Sequence, residues 1–504
     1  MMRDAALKYR PEIDGLRSVA VLPVVLFHAG FQIFSGGFIG VDVFFVISGY
    51  LITGILLCDI SQQRFSIARF YERRARRILP ALLAMMLACV PVAWAVMLPG
   101  ELAGFGRSVL AVLGFVSNIE FWHEEGYFST ASELKPLLHT WSLAVEEQFY
   151  LAFPLIVWVL RKVRTQITFA VLATAELASF GLCEYAAYHF QTANFYLAPS
   201  RAWELLAGSL CSFSLRHGVV RLHPARAQAL AGLGLLLIVG SIFLLDETAP
   251  FPSHFALLPV GGAVLVILFA EPRRGVGRIL ATGPLVGIGL ISYSLYLWHQ
   301  PLFVLARLAA DKPLPDWVML ALSLLALAFA WASRQFIEGP FRKRGSSSEP
   351  CRSLRVAISA TALLGTCAAI AVASRGMVGN APNRSPAIIQ FVAAAGEKPP
   401  AIPSCPLDAF GFAQPCKAVT SSLKRRYVAL FGDSHAKALE PAFALAAKAQ
   451  NAGLVYGSNG GCPGLLGGYV VNGNVEPEIC ERLAENEFAT ARREGVRVVY
   501  LASR

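Results

Sequence analysis

IDGLRSVAVLPVVLFHAGFQIF, residues 13–34, is apolar enough to cross a membrane, yet it carries Asp14, Arg17 and His28. At about 100° per residue, the eleven steps from Arg17 to His28 return to within roughly 20° of the starting face, about 16 Å along the axis. Asp14 lies near the same face. A cation and a titratable imidazole therefore share one stripe of a membrane helix. Ionisable groups are costly in hydrocarbon, and such a stripe marks a functional site inside a bundle.

Outward from this stretch the apolar pattern repeats. The 504-residue chain is 55% hydrophobic and 15% charged, with a mean hydropathy of +0.54. Apolar runs of about 20 residues recur, which reads as an α-helical multi-pass membrane bundle. No small-residue cleavage site follows the first run, so it is read as a retained span and not a signal peptide. Spans are expected at 13–34, 37–57, 78–98, 143–160, 166–189, 199–215, 227–245, 256–270, 284–305 and 316–337, all within a membrane domain of 1–344. An eleventh, 353–374, links to the tail.

Basic clusters at 64–77, 161–164, 216–226, 273–278 and 342–355 alternate with acidic or neutral loops at 123–133, 191–194 and 246–254. By the positive-inside rule the N-terminus is cytoplasmic and the tail lies outside. The same rule accounts for the net charge of +11, so no nucleic-acid partner is expected. The apolar stretch 104–122 breaks the alternation. It is expected to be a re-entrant or interfacial segment on the outer side; the alternative is a true crossing that violates the charge rule once.

After Arg375 the composition changes. Residues 376–425, rich in Pro, Ala and Ser, suit a linker. From 426 onward, short strands at 427–431, 454–456 and 496–500 alternate with a helix at 439–449, which suggests a parallel α/β layer. An oxidising exterior would permit two disulfides among Cys405, Cys416, Cys462 and Cys480. Cys405–Cys416 and Cys462–Cys480 are the local pairings, one of three connectivities. No His or CxxC accompanies these cysteines, so zinc is not expected there, and no metal is expected elsewhere. The six other cysteines lie in or beside spans as small apolar fillers.

Five motifs stand in order: RSVAVLPVVLFH at 17–28, GGFIGVDVFFVISGYLI at 36–52, RFYERRARRILP at 69–80, HTWSLAVEEQFYLAFP at 139–154 and ISYSLYLWHQP at 291–301. Through them the membrane part resembles the membrane O-acyltransferases of acyltransferase family 3. The resemblance implies a bacterial inner-membrane enzyme embedded in the lipid bilayer. Its donor would be acyl-CoA, commonly acetyl-CoA, bound from the cytoplasmic side. Its acceptor would be a hydroxyl of an extracytoplasmic glycan, such as lipopolysaccharide O-antigen or exopolysaccharide.

The residues suit that chemistry. A hydroxyl nucleophile needs a base near neutral pKa, so His28 is the candidate to take the acceptor's proton or relay the acyl group; helix packing is its plain alternative. Arg17 is a candidate for a donor phosphate or a partner carboxylate, the alternative being snorkelling to the inner surface. Asp42 enters the second span near the level of His28. It would orient the imidazole as the acid does in a triad, or else serve as a helix-start acid.

Positive-inside anchoring alone would predict the arginine cluster 69–77. Coenzyme A, however, carries a diphosphate and a ribose phosphate, and guanidinium forks match phosphate geometry. Arg74 and Arg77 form the Arg-x-x-Arg pair that resembles the family's donor-binding motif, and Arg73 is grouped with them. Glu146, beside Glu147 and on one face with Ser142, would bind acceptor hydroxyls or pair with arginine. His299, two residues before Pro301, would line the donor tunnel or pack. Trp203 and Glu204, after Arg201, are secondary candidates. Gly36, Gly37, Gly40 and Gly49 allow close helix packing and are assigned no chemistry.

In the tail, FGDSH at 431–435 resembles the first block of the SGNH (GDSL-type) hydrolases, and fused acyltransferase–SGNH proteins have this domain order. The resemblance makes Ser434 the nucleophile, with Asp433 packing the turn and the Ser434 N–H helping to form an oxyanion hole. A Ser nucleophile requires a base. The family's Asp-x-x-His does not occur after His435, so 426–504 is expected to be a partial SGNH-like domain. Gly457 and residues 459–461 are candidates for its second block. Rival classes are a glycan transporter or flippase and a membrane-anchored envelope esterase. The lack of a repeat between the halves counts against the first, and ten spans with charged stripes exceed what an anchor needs.

Overall fold

The computed structural model describes residues 9–124, 134–218, 222–246, 249–310, 312–342, 350–376, 405, 414–419, 427–432, 434–458, 462, 477–496 and 498–502. It divides into two units, Met1–Ile388 and Ile389–Arg504.

The first unit is helical, and each expected span meets a helix. These begin with α1 (Pro11–His28), α2 (Gly40–Ser61) and α3 (Ile67–Val96). Next come α4 (Pro99–Leu113), α5 (Ser117–Glu124), α6 (Thr140–Leu160) and α7 (Thr165–His189). A short α8 (Gln191–Tyr196) precedes α9 (Ala198–His217), α10 (Pro224–Leu244) and α11 (Leu257–Phe269). Then follow α12 (Gly275–Leu280), α13 (Gly283–Ala309), α14 (Asp316–Ala332) with a π-helical turn (Ser333–Glu338), α15 (Gly339–Arg342) and α16 (Pro350–Ala373).

Among the described residues, seven helical stretches are long and apolar enough to cross a bilayer. They comprise α2, α3, α6, α7, α10, α14 with its π-helical turn, and most of α16. The other four expected spans are α1, α9, α11 and α13. Helix α11 is short, with 13 residues. Polar side chains interrupt the rest: Glu12, Asp14, Arg17 and His28 on α1, Arg201 and Glu204 on α9, and Ser292, Ser294, His299, Gln300 and Arg307 on α13. Their neighbours explain how this is tolerated. Helix α1 packs on α13, and α9 on α2 and α7, so Glu12, Arg201, Glu204 and His299 are buried in protein.

Two crossings are set by glycine. A β-carbon at Gly49 of α2 would collide with the Leu205 carbonyl of α9, and one at Gly289 of α13 with the Asp14 carbonyl of α1. Small residues at such contacts let helix backbones approach closely. The second crossing brings the N-terminal parts of α1 and α13 together.

The stretch 104–122 is not one helix. Helix α4 ends at Leu113, Phe115 takes a positive φ of 53°, and α5 begins at Ser117. Arg107 of α4 reaches both Glu120 (3.3 Å) and Glu124 (2.8 Å) of α5. Helix α5 therefore folds back along α4, and the chain returns towards the end of α4 from which it came.

The second unit holds a four-stranded sheet: β1 (Cys416–Val419), β2 (Tyr427–Gly432), β3 (Gly453–Ser458) and β4 (Val498–Ala502), in the order β1-β3-β2-β4. Strand β2 runs parallel to β3 and β4, and β1 pairs antiparallel with β3 at the edge. Helix α17 (Ser434–Ala449) covers Leu430, Leu454 and Tyr456. Helix α18 (Pro477–Arg493) packs on the opposite face, with Phe488 5.9 Å from Phe431 ring to ring and Ala491 beside Ala429 and Val455. Alternate residues of β2 thus serve opposite layers, as the strand period of two requires.

Composition misplaced one boundary. Cys416–Val419 lies within the stretch read as linker, yet it is an edge strand, so the folded tail starts before 426. Four residues with one edge partner leave too short a signal for hydropathy to detect. The rest of that stretch, apart from Gly376 and residues 405, 414 and 415, lies outside the described residues. Both local disulfides form, Cys405–Cys416 and Cys462–Cys480. The first ties Cys405 to the edge strand.

Candidate active site

Among the described residues, two of the cavities in the helical unit are lined from the polar stripe of α1. One, of about 90 Å³, is lined by Arg17, Arg74, Arg77, Ser48, Glu146 and Tyr150 among others. A larger one, of about 780 Å³, is lined by His28, His139, Arg201, Gln300 and Arg307 with a set of aromatic rings. Arg17 and His28 share a face yet open into different cavities, because eleven residues of helix separate them by about 16 Å.

Helix α3 supplies the arginines of the smaller cavity. Arg74 and Arg77 are three apart and share one face. Arg74 lies over the Tyr150 ring at 5.1 Å and the Phe70 ring at 5.9 Å. Glu146 sits opposite and accepts a hydrogen bond from the Tyr150 hydroxyl at 2.8 Å. Arg17 lies 3.9 Å from Asp14, one turn earlier on α1. The cavity therefore presents three guanidinium groups facing one carboxylate, an arrangement that suits an anionic ligand. Arg73 does not line it. One residue from Arg74 is about 100° around the helix, and Arg73 pairs with Asp59 at the protein surface instead.

At the larger cavity, His28 Nδ1 lies 3.0 Å from His299 Nε2, and the two rings stack 5.1 Å apart. The Leu295 carbonyl sits 3.3 Å from His299 Nδ1. A carbonyl can only accept, so His299 Nδ1 carries a proton and its Nε2 accepts. The proton between the rings then belongs to His28 Nδ1, which leaves His28 Nε2 with a lone pair. His28 is thereby held as a neutral base at the wall of the larger cavity. Arg307 anchors its backbone, donating to the His28 carbonyl at 2.7 Å. A third imidazole, His139, lies 5.5 Å from the His299 ring.

Two expected roles are corrected. Asp42 does not orient His28; its carboxylate accepts from Arg201 at 2.8 Å, and Glu204 accepts from the same nitrogen at 2.7 Å. The reason is rotational phase: the first turn of α2 faces α9, whose Arg201 is fully buried and demands carboxylate partners. The rings of Phe45, Trp141, Phe195 and Phe251 surround the guanidinium at 5.3–5.8 Å. His299, expected to line the donor tunnel or to pack, is buried behind His28 and does not line the arginine cavity.

Sequence reasoning missed His139, Tyr296, Arg307 and the central part played by Arg201. A signal existed for two of them. His139 opens the fourth motif, just before α6. Tyr293, Tyr296 and His299 recur every third residue in the fifth, which sets them on one stripe of α13.

In the tail, β2 leads within two residues into α17, which Ser434 opens. Gly432 takes φ +148°, and a β-carbon there would strike the Ala502 carbonyl, so the turn demands glycine. Ser434 thus begins a helix after a parallel strand, where backbone N–H groups are unpaired. Asp433 and residues 459–461 lie outside the described residues.

Residues 10–334 match the family described as an acyltransferase domain, and 401–504 match an SGNH domain of the kind fused to such domains. The chain is 31% identical over 353 residues to O-acetyltransferase OatA of Staphylococcus aureus (strain NCTC 8325 / PS 47), covering 67% of this chain and 58% of that protein. It is 32% identical over 357 residues to peptidoglycan O-acetyltransferase OatA of Listeria monocytogenes serovar 1/2a, covering 67% and 56%. The matched stretch is little more than half the length of these relatives. No solved structure matches.

Proposed function

This chain belongs to the membrane acyltransferase family, with an SGNH domain behind the membrane domain, and from that premise we propose that it O-acetylates an extracytoplasmic glycan. The chain is a protein of the bacterial cell membrane. On our reading its N-terminus is cytoplasmic and its tail extracytoplasmic, as its basic loops favour. The relatives' names bring peptidoglycan forward as the acceptor, ahead of lipopolysaccharide or exopolysaccharide.

One observation carries the proposal: His28, a neutral base by its hydrogen bonds, lines a large cavity that shares the lining residues Val41 and Tyr296 with an arginine-lined one. The donor would be acetyl-CoA, which supplies an acyl group activated as a thioester. Arg74 and Arg77, with Arg17 nearby, would hold its phosphates. The aromatic walls of the larger cavity would hold the sugar. His28 Nε2 would take the proton of the acceptor hydroxyl as its oxygen attacks the acyl carbon; the C–S bond then breaks, and the coenzyme A thiolate leaves with the proton returned from His28. His299 would steady the resulting imidazolium by accepting from Nδ1. In the alternative route the Ser434 hydroxyl, and not the sugar, would take the acetyl group first, and the sugar hydroxyl would then attack the Ser434 ester.

Mass spectrometry of envelope glycans tests the reading in cells with the chain, without it, and with His28→Ala. Acetylated glycan should vanish in the last two. Acetylation retained with His28→Ala at normal membrane levels removes His28 from the chemistry.

A further inference from the structure

Tyr296 lines both cavities, and Val41 of α2 is the other residue that does so. Its ring lies 5.4 Å from the His299 ring, 5.5 Å from His139 and 6.3 Å from Phe44. Its hydroxyl sits 2.7 Å from Ser142 Oγ and donates to the His139 carbonyl at 3.0 Å. A side chain of α13 is therefore tethered by its tip to the start of α6. The half-buried ring stands between two spaces, and among the described residues two neutral hydrogen bonds hold its tip.

We propose that Tyr296 is a gate between the two cavities. Closed, it parts the arginine-lined cavity from the one that holds His28. When the hydroxyl leaves Ser142 and the His139 carbonyl, the ring swings and an acyl group can pass. This rests on reading the two cavities as donor and acceptor sides. A gate has a chemical purpose there. Water reaching the thioester would attack the acyl carbon and break the C–S bond, releasing free thiol and a carboxylic acid with no glycan modified. Tyr296 is in this sense a positioning residue, since it acts by deciding what meets the thioester and when.

The test places a reporter in the smaller cavity. Ser48→Cys is made in the full chain, in right-side-out and inverted membrane vesicles. A membrane-impermeant methanethiosulfonate is added, and mass spectrometry reads labelling of that one peptide. With Tyr296 present, the label should enter in one vesicle orientation. With Tyr296→Ala it should enter in both, about tenfold faster than before from the formerly closed side. Tyr296→Phe keeps the ring and loses the tether, so it should give an intermediate rate, and it carries the test should the alanine variant fail to insert. Equal labelling from both sides with Tyr296 in place, or no gain in either variant, overturns the gate. This readout needs no turnover, so a chain that acetylates no glycan would sink the functional reading alone. In active protein, acceptor-independent release of thiol from acetyl-CoA should rise with Tyr296→Ala while transfer falls; unchanged release with undiminished transfer also overturns the proposal.

Discussion

His28 and His299, 271 residues apart in the chain, share a hydrogen bond of 3.0 Å whose direction is set by a third group, the Leu295 carbonyl. That relationship turns an ordinary imidazole into one with a defined tautomer. Substituting His28 by Ala should lower acetyl transfer by about 10²–10⁴-fold, the usual worth of a positioned general base. His299→Leu should also lower it, by about tenfold or more, because His28 is then free to adopt the other tautomer. Glycan acetylation in membranes holding equal amounts of each variant checks both. A His299→Leu enzyme as fast as the parent would mean the ring pair only packs.

The arginines of α3 make separable predictions. Each charge-assisted hydrogen bond to a phosphate contributes about 1.5–3 kcal/mol, so Arg74→Ala with Arg77→Ala should weaken coenzyme A binding by about two decades or more. Arg73→Ala should leave that binding nearly unchanged, because Arg73 points to Asp59 and not into the cavity. Calorimetric titration of coenzyme A into detergent-solubilised protein distinguishes the two variants.

Arg201 holds two carboxylates in a fully buried network. Arg201→Met should cost about 3–5 kcal/mol, because Asp42 and Glu204 would be left as buried acids without a cation. Thermal unfolding in detergent should show a markedly lower midpoint. A triple variant that also carries Asp42→Asn and Glu204→Gln should recover much of the loss, since no unpaired charge remains.

Glu487 in α18 gives the tail a pH dependence. Burial pushes its carboxyl up to about 8, and its Oε2 has no hydrogen-bond partner among the described residues. Between the ordinary glutamate range and about 8, the folded tail keeps a proton that the unfolded chain has released. Stability is therefore fully present below the ordinary range and is lost as pH rises towards about 8, then levels off. Glu487→Gln should flatten this slope. Hydrogen exchange of the Tyr427–Gly432 strand in the full chain, corrected for the intrinsic rate at each pH, reads the difference.

Much of the architecture was legible in local runs. Every expected span holds a helix, because twenty apolar residues are a property of the chain itself and need no partner to be recognised. The strand at 427–431 and the helix after it were equally plain, since buried parallel strands read as continuous apolar runs. The edge strand Cys416–Val419 was not, because four residues with one partner carry almost no pattern. Helix α18 also escaped notice: its 17 residues are rich in Glu and Arg and show only a narrow apolar stripe.

By itself, then, the sequence determined that this is a helical membrane protein with an α/β tail, that Arg17 and His28 share one face of α1, and that Arg74 and Arg77 share one face of α3. Hydropathy and helical periodicity are local, and local order settles them. Only the tertiary structure decided the partners: His299 and not Asp42 beside His28, Arg201 between two acids, Tyr296 at the junction of two cavities. Which faces meet depends on the rotation of each helix against neighbours distant in the chain, and that angle is set by close contacts such as Gly289 on the Asp14 carbonyl, which no single segment encodes.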